Sequence, residues 1–206
     1  NSIIGGKTII DLDQVVVDGI NCNIYHDLAP PDDIAIRYMF SKKLRDVKFP
    51  LYVKQIDIIN SKLTYEEIAE KAQIPGKITF DNFNAKIKDV NNAKITGKPT
   101  MIKVDSNFDF FGDAPTDIHW NFEEKKKNDD FAINGTIKDL SIENANLFVR
   151  PYLNVSLDGK INYLKFDYTG NTNKIGGKFG FNYTDMNVNF LNKNTGKERK
   201  VLSAIA

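Results

Sequence analysis

Apolar and polar residues alternate along most of this chain, with the period of two that marks a half-buried β-strand. Ile102, Val104, Phe108 and Phe110 share one parity, and Lys103, Asp105, Asn107 and Asp109 take the other. Ile118, Trp120 and Phe122 alternate with His119, Asn121 and Glu123, and Phe131, Ile133 and Ile137 with Asn134, Thr136 and Lys138. The habit continues through Leu153, Val155 and Leu157, through Leu164, Phe166 and Tyr168, and through Phe179, Phe181 and Tyr183. Less regular strands are predicted over Thr8 to Asp18, Ile20 to His26, Tyr52 to Asn60, Leu63 to Glu67 and Lys77 to Asp89. Turn signals punctuate the runs at Pro75-Gly76, Gly112-Asp113, Asn128-Asp129-Asp130, Asp158-Gly159 and Gly176-Gly177. The short connections predict antiparallel neighbours. The charged stretch Glu123 to Asp130 reads as a solvated hairpin tip.

Within several runs the apolar parity changes. It does so between Phe80 and Phe83, near Asp158-Gly159, and at Thr184-Asp185, after which Met186, Val188 and Phe190 carry the apolar positions. One extra residue turns every later side chain to the other face of a sheet. These points therefore predict β-bulges or tight turns, the devices that bend a long sheet. Ile56 to Tyr65 and Ile78 to Ile87 share one pattern of alternation, an Asn-containing break and renewed alternation, which suggests repeated β units.

Helix signals are few. Ser141 is placed to cap a short helix carrying Ile142, Ala145 and Val149 on one face and stopping at Pro151. After Pro30-Pro31, residues Asp33 to Val47 are ambiguous: Ile34, Ile36, Tyr38 and Phe40 alternate as in a strand, whereas Phe40 to Val47 suits a helix ending before Pro50. Glu66 to Ala72 has helix-forming composition between two strands, and its pattern leaves both states open. The fold class expected is mainly β: a long, curved, largely antiparallel sheet, groove-like or sandwich-like, with one or two short helices. Residues 1–206 read as a single β-rich domain or as a fragment of a longer repeat-built protein, with a sub-boundary near 30–50. Asn1 in first place and the apolar Leu202 to Ala206 suggest an excised stretch.

Composition removes more chemistry than it suggests. Lys and Arg total 28 and Asp and Glu 27 in 206 residues, a net charge of +1, so no basic excess points to nucleic acid. The single cysteine, Cys22, excludes an internal disulfide and any CxxC motif. His26 and His119 stand alone, without metal-ligand spacing. Asp105, Asp109, Asp113 and Asp117 recur every four residues and Asp32-Asp33 follow two prolines, but no calcium loop is formed, and Glu66-Glu67 could do acid–base work only opposite another carboxylate across a cleft. Gly176 to Gly180 leads into a strand, so it does not cradle phosphate. The glycosylation sequons at Asn134, Asn154 and Asn182 are expected by chance in so Asn-rich a chain. No catalytic, cofactor-binding or metal-ligating residue is assigned. What remains is a row of large apolar residues along one flank of successive strands. A sealed core and an open apolar surface are both compatible with it.

From Phe49 onward the chain resembles the AsmA-like proteins of the AsmA/TamB superfamily. The resemblance is carried by Phe49 to Glu67 followed by Gly76 to Ala85. It extends through Phe131 to Ile137, Leu147 to Leu153 and Gly159 to Ile161, and Gly177 to Val188 has the same style. These are patterns of strand, Asn and Gly rather than catalytic signatures. The resemblance implies a long curved sheet with an apolar inner groove. It further implies a non-enzymatic segment of a bacterial envelope protein, periplasmic and tethered to the inner membrane through a region outside this stretch. Such a segment would serve lipid transport and outer-membrane biogenesis. The partners implied are phospholipid or another acyl-chain lipid and neighbouring segments of the same chain. The groove candidates are Phe108, Phe110, Trp120, Phe122, Phe131, Phe166, Phe179 and Phe181. The alternative expectation is a structural or interaction module of the envelope with a closed core and no ligand.

Overall fold

The computed structural model describes residues 2–4, 7–28, 39–68, 74–192 and 195–197, with side chains from residue 9 onward. Among the described residues, ten strands and two helices follow in the order β1 (Ser2–Ile4), β2 (Lys7–Asp18), β3 (Asn21–Asp27), α1 (Phe40–Asp46), β4 (Leu51–Ile68), β5 (Gly76–Asn91), β6 (Met101–Phe110), β7 (Ala114–Glu123), β8 (Phe131–Leu140), α2 (Ile142–Leu153), β9 (Val155–Gly170) and β10 (Ile175–Phe190). All ten strands join one sheet in the order β1-β2-β4-β5-β6-β7-β8-β9-β10, with β3 also on β4. From β4 to β10 every pair is antiparallel, as the short turns predict. The exceptions are β2 and β3, which lie one after the other along the free edge of β4 and run parallel to it. A parallel pair needs a crossover connection, and α1 lies between β3 and β4 in the chain.

The parity switches between Phe80 and Phe83 and at Thr184-Asp185 are bulges, whereas the one expected near Asp158-Gly159 falls at Asn162, since Leu157 and Ile161 still share one face. Asn60, Asn82, Asp139 and Asp185 all have positive φ, between 50° and 51°, a region that Asn and Asp tolerate better than other side chains do. Asn60 and Asn82 lie on adjacent strands, where the backbone N–H of Asn60 donates to Asn84 Oδ1 at 3.1 Å. The recurrence between Ile56–Tyr65 and Ile78–Ile87 is thus a pair of neighbouring strands, each bent at an asparagine. Because Asn60 is a bulge and not a turn, Tyr52–Asn60 and Leu63–Glu67 belong to the single strand β4. Asp158-Gly159 and Gly176-Gly177 also lie inside strands, β9 and β10, and the turn between those strands falls at Asn171–Lys174.

Helix α2 begins as expected. Ser141 Oγ accepts from the backbone N–H of Asn144 at 3.3 Å, and Glu143 adds an acidic group to the first turn. It does not stop at Pro151. The ring is accommodated near the C-terminus, where few later hydrogen bonds depend on it, and the helix ends when Asn154 turns left-handed with its N–H on the Arg150 carbonyl. Asn146 then docks the helix on β9: its amide donates to the Leu157 carbonyl and accepts from the Leu157 N–H, both at 2.9 Å. Helix α1 starts at Phe40, so the helical alternative for Phe40–Val47 is the one observed, while Ile34 to Tyr38 and Asp32-Asp33 lie outside the described residues. Glu66 to Ile68 are strand, and 69–73 lie outside the described residues.

The hairpin tip Glu123 to Asp130 differs from its sequence reading. Lys125 to Asn128 are exposed, but Glu124 and Asp129 are buried, because the guanidinium of Arg45 on α1 enters the turn. It donates to the Glu124 and Lys126 carbonyls, both at 3.4 Å, and to Asp129 Oδ1. Ser41 Oγ donates to the same carboxylate at 2.7 Å.

Candidate functional site: an apolar sheet face between two helices

Register assigns faces without ambiguity through the centre of the sheet, because directly paired residues point the same way. On β6 and β7, Val104 pairs with Trp120, Phe108 with Thr116 and Phe110 with Ala114. Phe122 pairs with Ile102 and with Phe131, and Phe166 pairs with Gly135 and with Phe179. Phe181 pairs with Leu164, and Leu164 with Ile137. All eight groove candidates therefore project from one face. Lys103, Asp105, His119, Asn134 and Lys165 project from the other, where His119 Nδ1 lies 2.7 Å from Asp105 Oδ1.

The N-terminal half adds to the same face, and the sequence reading missed this. Leu63 pairs with Phe80 and Phe80 with Phe110, while Ile56 and Ile58 pair with Ile87 and Ala85. The bulges at Asn60 and Asn82 hid the continuity, since a fixed parity carried across either one assigns the following residues to the wrong side. Asparagine at each break was the available signal. Phe80, Phe83 and Phe108 form one aromatic patch, with ring centroids 5.2 Å and 5.6 Å from Phe108. Trp120 and Phe122 form a second at 4.8 Å, and Phe179, Phe181 and Tyr183 a third along the border strand.

The two helices cover only the ends of this face. α2 lies across the end where β6 turns into β7. There Ile142 and Ala145 pack with Ala114, Leu140 and Ile161, and Phe148 meets the backbone of Gly76 on β5. At its far end Tyr152 donates to Glu67 of β4. α1 sits at the opposite end, its Phe40 ring edge-on to Trp120 at 5.9 Å. Between them no second sheet or helix covers the face among the described residues. Among the described residues the sandwich-like alternative for the fold is therefore replaced by a single open sheet. Ten apolar side chains are buried among the described residues, and five of them form the α2 cluster, so most large rings are only partly shielded. Phe122 is 9% exposed, whereas Phe179 and Phe181 are 61% and 42% exposed.

Eight residue steps along β7, from Phe122 to Ala114, span about 27 Å, and seven strands from β4 to β10 span roughly 29 Å. One leaflet's depth of hydrocarbon is about 15 Å, half the thickness of a bilayer core. The apolar face is long enough for an acyl chain laid along or across the strands.

A polar group closes the α2 end. Glu67 Oε2 accepts from the Tyr65 hydroxyl and lies 2.9 Å from His26 Nδ1. Burial pushes this carboxyl up, but the hydrogen bonds from Tyr65, His26 and Tyr152 outweigh it and hold it below the usual carboxylate range. Glu66 points to the reverse face, 3.5 Å from Lys77, so the two adjacent acids do not act together. Asp105, Asp109 and Asp113 are spread over His119, Asn82 and Asn144. Among the described residues no group of three or more His, Cys, Asp or Glu converges as metal ligands do, and Cys22 is a free thiol. Nor is any described helix long and apolar enough to cross a membrane. Comparisons with protein-family models, with curated proteins and with solved structures find no match to this chain.

Proposed function

We propose that this chain is a non-enzymatic lipid-binding segment whose apolar face holds or conducts the acyl chains of a phospholipid or similar amphiphile. The observation that carries the reading is the combination of an apolar face left unroofed among the described residues, with a helix at each end, and a reverse face that is predominantly polar from β6 to β9. A sheet exposed on both sides would be expected to place its aromatic rings under a second layer. Here the rings of Phe108, Phe166, Phe179 and Phe181 lack one, and each methylene that leaves water against them gains about 0.8 kcal/mol. Headgroups stay at the wet rim. The resemblance to AsmA-like proteins agrees with this reading and extends it to a periplasmic location and an inner-membrane tether.

The test is to purify the protein without detergent, extract it with organic solvent and analyse the extract by mass spectrometry. Phospholipid in near-stoichiometric amount is expected, and a clean extract overturns the proposal. Phe179→Asp and Phe108→Asp should each reduce retained lipid several-fold with the circular dichroism spectrum intact. Phe179 is the safer site, because its ring is largely solvent-facing already. Unfolding of Phe108→Asp alone would instead mark that ring as sealed core.

A further inference from the structure

The connections between strands differ in charge at the two ends of the sheet. At the α1 end the strands finish in one row: Tyr52 pairs with Asn91, Met101 with Glu123, Phe122 with Phe131, and Gly170 with both Phe131 and Ile175. The segments beyond that row, 39–50, 92–100, 124–130 and 171–174, hold ten Lys and Arg against four Asp and Glu. The described connections at the α2 end hold Arg150 against Asp113 and Glu143. Hydrogen bonds stitch the four basic segments into one rim. Asn92 Nδ2 donates to the Phe49 carbonyl at 2.7 Å, the Glu124 N–H to the Thr100 carbonyl at 3.0 Å, and the Thr172 N–H to the Asn128 carbonyl at 3.0 Å. Glu124 and Asp129 are buried beside Arg45, so two of the four acids are withdrawn from the surface. Lys43, Lys48, Lys94, Lys125, Lys127 and Lys174 are exposed, and none of them forms a salt bridge among the described residues. Apolar tips stand among them: Met39, Phe40 and Phe49 are exposed, the Phe40 side by 67%, with Lys43 Nζ 5.9 Å from its ring centroid.

We infer that this rim docks on the surface of a membrane that bears anionic lipid, with the lysines on the lipid phosphates and Met39, Phe40 and Phe49 at headgroup depth. Charge complementarity selects an anionic partner, and two observations select a membrane over another polyanion. Exposed apolar side chains interleaved with lysine suit the boundary between headgroups and acyl chains, where each part finds its own solvent. The Phe40 ring also stands edge-on to Trp120, so the rim adjoins the apolar face; this second point rests on the proposal that the face holds acyl chains. Each lysine brought to an anionic surface strengthens binding roughly fivefold, so a handful of them is enough for reversible docking. The attraction is screened within a Debye length. The other end of the sheet, with its near balance of charge, stays away from the surface.

Flotation with vesicles tests the inference. The chain should rise with vesicles of equal parts phosphatidylcholine and phosphatidylglycerol, stay behind with phosphatidylcholine alone, and be released by high salt. Lys125→Gln with Lys127→Gln should weaken binding about 25-fold, the product of two such lysine factors. Lys138→Gln with Lys160→Gln removes the same charge from exposed positions in the α2 half and should leave binding unchanged. Phe40→Ser should weaken binding several-fold, and a single-stranded oligonucleotide should not displace the wild-type chain. Failure to float, equal loss from the two lysine pairs, or displacement by the oligonucleotide together with full binding by Phe40→Ser would each overturn the inference. The solvent extraction described above fails independently. A chain that floats but yields a clean extract overturns the lipid-holding face, and one that carries lipid but does not float overturns the docking rim alone.

Discussion

Glu124 Oε2 lies 3.5 Å from Arg45 Nη1, and neither carboxylate oxygen of this fully buried side chain accepts a hydrogen bond among the described residues. Arg45 is already engaged by Asp129 and by two turn carbonyls. Burial pushes the Glu124 carboxyl up to about 7, the neighbouring Asp129 and Glu123 add to the rise, and Arg45 only partly opposes it. The folded chain therefore binds a proton here that the unfolded chain gives up at the ordinary value of 4.5. Stability from this group is full below about pH 4.5 and falls as the pH rises through about 7, by of order 3 kcal/mol.

Urea unfolding between pH 5 and pH 8 checks this. Glu124→Gln should remove most of the decline, since the amide has no proton to lose there. An unchanged slope would show that the turn relaxes to let water reach the carboxylate. Since α1 is anchored at this turn, the same titration should loosen the Phe40–Trp120 contact, visible as a change in Trp120 fluorescence.

The Glu67 cluster titrates in the opposite sense. Its carboxyl is held below the ordinary value, so its contribution is present above about pH 4.5 and is lost as the pH falls through the depressed folded value. Glu67→Gln should cost about 1.5–3 kcal/mol at neutral pH, the range for hydrogen bonds to a charged group, and should flatten the acid limb of the stability profile. Tyr152→Phe removes only the link to α2. Amide exchange should then quicken from Phe148 to Asn154 while β6 to β8 stay protected.

Gly159 and Gly176 make a matched pair. Gly159 has φ +105°, and a Cβ there would fall on the Asp185 carbonyl across the bulge. Gly159→Ala should cost at least about 2 kcal/mol, the strained conformation alone accounting for roughly 1–3. In a chain this long that lowers the melting temperature by about 4–8 °C. Gly176 has nothing within 4 Å of the same position. Gly176→Ala should stay within about 0.5 kcal/mol of wild type. Equal effects at the two sites would contradict the bulge.

Asn92 ties the segment after α1 to the end of β5. Its Oδ1 accepts from the Leu51 N–H at 3.1 Å and its Nδ2 donates to the Phe49 carbonyl at 2.7 Å. The side chain is almost wholly buried. Asn92→Ala strands two backbone groups, and each lost partner costs about 1–3 kcal/mol. Denaturant midpoints should fall accordingly, and the α1 end of the sheet should become the first region to exchange its amides.

Alternation alone determined most of the strands, the cap at Ser141 and the shared flank of Phe108, Trp120, Phe131 and Phe179, because period two is a local property of an extended backbone. It also fixed where parity breaks, at Asn82 and Asp185, since a bulge needs a residue that tolerates the left-handed region. Tertiary structure decided whether the apolar flank would be roofed. That depends on the order of strands in one sheet and on where α1 and α2 come to rest, which no local pattern encodes. It likewise decided that β2 and β3 run parallel to β4, and that Glu124 and Asp129, two acids in a run that reads as solvated, are drawn inside by an arginine about eighty residues earlier. Burial is a relation between distant segments, and the charges of Glu124 and Arg45 acquire their meaning only when the sheet brings them together.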